Sequence, residues 1–221
     1  MISDIVGDFM KKMKKPIFKA PLEKYIGDIV KPTDSDNIEY VEIEDSMLVD
    51  KEGYRIVFDT VKFNRVTFNN NEFQRSEFID CIFENCDLSN NTFIKSTFMR
   101  CEFINCRLTG SHFIESYINC VVFKDCIATY LDVADSKLKI VEFTKMNLSE
   151  SSFFHNEIKL IEMNEVNLEK ATFYETSLKD VDLGDCDLYE LKIDPKSIKG
   201  CIITSYQARE VCHLLGIKVK D

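Results

Sequence analysis

Tryptophan is absent from the 221-residue chain, and proline, glycine and histidine number only four, seven and three. So little glycine leaves scant material for a phosphate-cradling loop, and neither a Walker loop nor a GxGxxG run occurs. Three of the prolines, Pro16, Pro21 and Pro32, lie near the start, and none follows until Pro195. A long stretch free of proline is what a continuous β-ladder requires. No apolar run approaches the ~18 to 20 residues that span a bilayer, and Met1, Ile2, Ser3 and Asp4 do not open a signal peptide. The chain therefore reads as cytoplasmic, with no membrane partner. Basic residues are also short, at 28 against 38 acids, for a net charge of −10 and a pI of about 4.9. That deficit excludes direct nucleic-acid binding by neutralised phosphates. Nine cysteines, an odd number, do not make a disulfide framework and read as buried thiols.

The chain is rich in one aromatic. From Phe58, steps of five reach an apolar residue at all 30 positions through Ile203, and 14 of the 17 phenylalanines fall on them. A period of five fits neither a helix nor a flat strand, so the backbone must turn every five residues. Two residues before each of these centres lies a second inward position, filled by Ala, Cys, Ser, Thr or Val in 21 of 30 cases. Seven of the nine cysteines sit there: Cys81, Cys86, Cys101, Cys106, Cys126, Cys186 and Cys201. Their number is thus explained as small core filling.

If four such sides close a coil, residues 20 apart must stack. Leu88, Leu108, Leu148, Leu168 and Leu188 repeat at that spacing, as do Phe73, Phe93, Phe113, Phe153 and Phe173, and Ser76, Ser96, Ser116 and Ser136. An all-β solenoid follows, about 36 Å long at a β-spacing of about 4.8 Å. Ile38, Ile43 and Leu48 share the phase, so the solenoid is expected over 38–203, with an N-terminal appendage or cap in 1–37 and a C-terminal segment in 204–221. Ala128 is small for a centre and Leu131 large for its position, which predicts volume exchange with a kink or bulge over 126–133.

The ends of a rod expose strand edges and core that must be covered. Ile2, Ile5, Val6, Phe9, Met10 and Met13 stand at helical spacing, followed by Lys14 and Lys15, so residues 2–14 are expected to form a capping helix or appendage; a membrane-surface helix is the sharper alternative. Thr204 or Ser205 can N-cap a second helix running to Leu215, stopped by Gly216, with Ile217 to Val219 as a short strand. Tyr206, Val211, Leu214 and Leu215 give this helix an apolar surface, expected to join a homodimer.

Catalytic chemistry is missing. Cys86, Cys106 and Cys126 stack in adjacent coils, but no CxxC pair or nearby His completes a zinc set, so packing is the expected role and no metal or cofactor is expected. His112 and His155 fall on outward phases and read as solvated. The chain is therefore expected not to be an enzyme. Charge is more informative. Residues 141–195 hold 13 acids and 5 bases. Glu142, Glu162 and Asp182 lie 20 apart on one outward position, with Glu165 and Asp185 three residues after the last two. This stripe either keeps the rod soluble or presents the potential of a nucleic-acid backbone.

The repeated pattern of a small residue, any residue, then Phe or Leu, as in CDLSNNTF and CRLTGSHFIESY, resembles the pentapeptide-repeat family across roughly 38–203. The resemblance implies a right-handed quadrilateral β-helix. The ending TSYQAREVCHLLGIKV, Gly110 in LTGSHF and the uninterrupted register are similar to the Qnr group of quinolone-resistance proteins, especially members without inserted loops. That narrower resemblance implies a homodimer joined through the C-terminal helix, imitation of DNA, and binding to DNA gyrase or topoisomerase IV that protects them from quinolones or related toxins. The other reading is a structural or adaptor solenoid for a different protein partner, favoured by the missing loops.

Overall fold

A backbone that turns every fifth residue needs a residue in the left-handed region at each corner. The computed structural model, which describes residues 9, 11–26, 32–49, 52–214 and 216–220, has this feature along its length. Arg55, Arg75, Lys95, Glu115, Asp135, His155 and Glu175, for instance, all have φ between 48° and 55°. Non-glycine residues adopt this region only where the surroundings over-determine it. Here the stacked coils do so, and the result is a parallel β-solenoid of about eight turns.

One coil has four faces, called A to D in chain order and represented by residues 57–59, 62–64, 67–69 and 72–74. Long strands such as Val57–Asn64, Thr97–Ile104 and Tyr117–Lys124 cross the corner between A and B, so these faces join in one 11-stranded sheet. Face D is a separate eight-stranded sheet. Face C is mostly a chain of single bridges from Thr67↔Asp87 to Asn167↔Asp187. Among the described residues, successive coils pair in parallel at a spacing of 20, for example Phe98↔Ile118 and Phe103↔Phe123.

The phenylalanine centres point inward and stack as columns. Phe63, Phe83, Phe103 and Phe123 have successive ring centroids 4.7, 4.4 and 4.7 Å apart and interplanar angles of 13°, 2° and 12°. Each such contact adds about 0.5 to 1.5 kcal/mol beyond simple burial. The small inward positions do more than fill space. Ser96, Ser116 and Ser136 donate to the carbonyls of Phe73, Phe93 and Phe113 at 3.1, 3.0 and 3.1 Å. Cys81, Cys101, Cys106 and Cys126 repeat the contact with Phe58, Phe78, Phe83 and Phe103, at 3.2 to 3.4 Å. Size alone would have admitted Ala everywhere; a donor is favoured because it satisfies a buried carbonyl of the preceding coil.

The bulge expected over 126–133 does not form. Ile127 bridges both Arg107 and Asn147, and Asp132 pairs with both His112 and Ser152, so the ladder passes through unbroken. Ala128 and Leu131 are both buried. The extra volume of Leu131 replaces what Ala128 lacks, and the backbone has nothing to relieve.

Of the helix expected over 2–14, Phe9, Lys11 and Lys12 are helical and Phe9 is fully buried; Ile2, Ile5, Val6 and Met10 lie outside the described residues. The described part runs along the side of the rod as a strap over the corner between faces A and B. The Cys120 thiol lies 3.7 Å from the Lys12 carbonyl, Lys15 faces Glu102 at 3.8 Å, and the Ile17 N–H donates to Asp80 at 3.0 Å. Glu23–Lys24 then pairs in parallel with Val41–Glu42. Beneath the strap, Thr60, Asp80 and Cys120 are buried although their phase points outward. Asp80 is held by both arms of Arg100, at 2.6 and 2.5 Å.

At the other end, the helix Ser205–Leu214 starts on a reciprocal cap. The Thr204 hydroxyl accepts from the Gln207 N–H at 3.2 Å, and Gln207 Oε1 accepts from the Thr204 N–H at 2.8 Å. Gln207 Nε2 also donates to the carbonyls of Leu183 and Cys186 at 2.7 and 2.9 Å, supplying donors that a further coil would have supplied. Gly216, at φ 73°, ends the helix as expected. The short strand expected over Ile217 to Val219 is absent: these residues are irregular and exposed, because no neighbouring edge receives them. Among the described residues, no helix is long and apolar enough to cross a membrane.

Candidate functional site: an acidic ladder on face B

The outward row of face B passes through Glu42, Lys62, Ile82, Glu102, Val122, Glu142 and Glu162 in ladder register. Its two halves differ in charge balance. In the first, Lys62 lies 3.5 Å from Glu42 and 3.2 Å from Glu84, and strap Lys15 approaches Glu102. In the second, Glu142 and Glu162 are direct rung partners, and Asp182 continues their phase. Glu142 accepts the Thr144 hydroxyl at 2.9 Å, and Asp182 accepts the Gly184 N–H at 2.9 Å, which fixes both carboxylates. Glu165 and Asp185 are exposed on the adjoining corner, where Lys145 reaches Glu165 at 4.0 Å. The structure thus places the five predicted acids on one side of the later coils, with Glu165 partly offset by Lys145.

Glu162 stands apart. Its Oε1 is buried without a hydrogen-bond partner. Burial, with the Glu142 carboxylate adding to it, holds the Glu162 carboxyl above its ordinary pKa. A carboxyl whose pKa rises on folding contributes stability below the ordinary carboxyl range, and that contribution is lost as pH rises through the folded value. Glu162→Gln should therefore raise the melting temperature at neutral pH, and the gain should shrink as pH falls toward about 4. A gain that stayed constant across that range would assign it to packing rather than charge.

The remaining sequence candidates are placed as follows. Cys86, Cys106 and Cys126 point into the core and donate to backbone carbonyls. Burial raises the Cys81 thiol pKa and pushes that of Cys186 up to about 11. His155 is exposed, yet its Nδ1 lies 2.6 Å from Asp135, and this hydrogen bond raises its pKa. His112 lies 3.4 Å from Asp132. On the C-terminal helix, Val211 and Leu214 pack against the solenoid core, while Tyr206 is 84% exposed. Leu215 lies outside the described residues. Sequence reading missed the role of Gln207, although the T-x-x-Q spacing carried the signal. It also missed the strap, for which no local pattern existed.

The parallel solenoid with this inward five-residue pattern has the fold of a pentapeptide-repeat β-helix, and residues 96–173 match the family model described as pentapeptide repeat region. No curated protein matches the sequence. Among solved structures, the fold is similar to that of trypsin-treated QnrB1, a plasmid-mediated fluoroquinolone resistance protein, with a TM-score of 0.55 and 20% identity, covering 90% of this chain and 98% of that one. HetL, a pentapeptide repeat protein involved in heterocyst differentiation regulation from the cyanobacterium Nostoc sp. strain PCC 7120, gives a TM-score of 0.48 and 11% identity over 76% of this chain and 85% of its own. At 20% identity the likeness to QnrB1 is one of fold.

Proposed function

We propose that this chain is a cytoplasmic, non-enzymatic DNA mimic that binds a type II topoisomerase, DNA gyrase or topoisomerase IV, and protects it from quinolones or a related toxin. The observation carrying this reading is the second half of face B. The carboxylates of Glu142, Glu162 and Asp182 follow one another at β-rung spacing, about 4.8 Å, on a narrow rod, with those of Glu142 and Asp182 fixed by hydrogen bonds. A basic groove built for phosphates about 3.4 Å apart along each strand meets a comparable line of charge. The unpartnered Glu162 oxygen supports the reading, because a cation from a partner would satisfy it. The fold shared with a fluoroquinolone resistance protein supports the partner class. Binding of the full chain to purified gyrase, with supercoiling measured with and without ciprofloxacin, tests it. Retained supercoiling in the drug is the expected result, and no binding to gyrase or topoisomerase IV would turn the reading toward an adaptor.

The proposal includes a homodimer through residues 204–219. Tyr206, Ile217 and Val219 leave apolar surface uncovered at the capped end, and a symmetry mate is the simplest cover. Tyr206→Asp should weaken self-association in sedimentation at tens of micromolar without lowering the melting temperature. An unchanged association constant would exclude Tyr206 from the contact.

A further inference from the structure

Face D lies opposite face B in the coil and has two outward rows: the one before each centre is polar, from Glu52 and Glu72 through Asp132 to Thr172, and the one after it has a different character. The row runs in continuous parallel register from Tyr54 through Ile94, Ile114 and Ala134 to Phe154 and Tyr174, with Gln74 the one non-aromatic polar rung. Phe154 and Tyr174 are each 46% exposed, and their rings stack at 5.3 Å and 7°. Such a surface is more apolar than the remainder of an acidic rod requires.

The edge that face D shares with face A is polar, and its charge changes sign once. Arg55, Arg75 and Lys95 occupy the first three rungs and Glu115 the fourth. Asp135, His155 and Glu175 occupy the last three. All seven side chains are exposed. Lys95 reaches Glu115 at 3.4 Å, and His155 is bound to Asp135. Arg75 has no ion pair among the described residues, although it stands between two other cations. Like charges on adjacent rungs repel, so this order costs stability in an isolated rod.

We propose that a second copy of this chain packs face D against face D, with the two rods antiparallel about a two-fold axis crossing at Ile114. Such an axis lies in the plane between the faces, across the rods. It keeps the same edge opposite itself while reversing the order of rungs. Ile114 then meets its own counterpart, and Ile94 meets Ala134. Gln74 lies opposite Phe154, and Tyr54 opposite Tyr174. Along the edge, Arg55 meets Glu175, Lys95 meets Asp135, and Arg75 meets the His155 that Asp135 holds, while on the axis Glu115 meets its own counterpart with the adjacent Lys95 at 3.4 Å from each carboxylate. Parallel rods, related by an axis along the rod, would set this edge against the opposite edge of face D, so only the antiparallel arrangement brings its basic and acidic halves together. Face B of each copy remains turned outward, and the contact is separate from the C-terminal helix.

Charge reversal tests the pairing in the full chain carrying Tyr206→Asp, which removes the other contact. One variant carries Arg55→Glu, Arg75→Glu and Lys95→Glu; the other carries Asp135→Lys and Glu175→Lys. Sedimentation at tens of micromolar should show a dimer for the parent and a monomer for each variant alone. Mixed in equal amounts, the two variants should form a heterodimer at least about tenfold tighter than either homodimer, because acids then predominate along one edge and bases along the other, Glu115 and His155 being unchanged in both. A monomeric parent, variant homodimers as tight as the parent, or a mixture that does not associate would each overturn the proposal. Ile114→Cys locates the axis: mild oxidation by copper phenanthroline should link two copies through this thiol, whereas the parent, with its own cysteines, should remain unlinked. A parent dimer whose Ile114→Cys form does not cross-link would overturn the placement of the axis.

Discussion

Phe103→Asp should abolish the cooperative melting of the central coils. Phe103 is fully buried, with its ring 4.4 Å from Phe83 and 4.7 Å from Phe123. Truncating a buried Phe costs about 3 to 5 kcal/mol. An unpaired carboxylate in the same place adds several more or must be protonated. Against a total of roughly 5 to 15 kcal/mol for a domain, the sum removes most or all of the stability. Each coil of a solenoid touches only its neighbours, so the damage should begin in the coils of Phe83, Phe103 and Phe123 and spread outward. Circular dichroism and thermal melting measure it. Phe103→Leu, close in volume and still apolar, should stay folded with a modestly lower midpoint. A Phe103→Asp chain that melted like the wild type would remove this ring from the core.

If the chain acts as the proposed DNA mimic, its binding to gyrase should be lost in a variant carrying Glu142→Lys, Glu162→Lys and Asp182→Lys. The three share one outward phase, so all would meet a basic groove together, and reversal replaces attraction with repulsion at each. None occupies an inward position, and Glu162 has no hydrogen-bond partner at its buried oxygen to lose. The fold should therefore survive, which circular dichroism would establish before affinity is compared. Removal of close interfacial charge pairs costs about 1.5 to 7 kcal/mol each where they have been measured, so a drop of at least tenfold is expected. Salt should weaken the wild-type complex for the same reason, since exposed charges farther apart than about 8 to 10 Å are screened near physiological ionic strength. Unchanged affinity in the folded variant, or binding indifferent to salt, would leave the stripe as solvated surface.

The solenoid itself was legible because its information is local and repeated. A five-residue rhythm assigns each side chain an inward or outward direction, and repetition at 20 assigns its neighbour in the next coil. Phe73 above Phe93, Ser96 above Ser116 and the phase of Glu142 with Glu162 all followed from that count. The bulge over 126–133 was misread for an instructive reason: Ala128 and Leu131 each break a size rule, but only their shared space shows that the two departures cancel. The donors from Ser and Cys to carbonyls of the preceding coil were likewise hidden, since residue size and residue polarity point to the same amino acids.

What the sequence by itself determined was therefore everything that depends on position within a coil: the faces, the stacked core and the acidic phase. Tertiary structure alone decided how non-repeating segments meet the rod. Nothing in the strap's spacing assigns Ile17 to Asp80 or Lys15 to Glu102, because a contact between distant parts of the chain has no periodic signal. It also decided that Gln207 satisfies the last coil and that Val211 and Leu214 turn inward, leaving Tyr206 exposed. The physical reason is the same throughout. A repeat carries its partners at a constant offset along the chain, whereas a cap or strap finds its partners only after the rod exists to offer them.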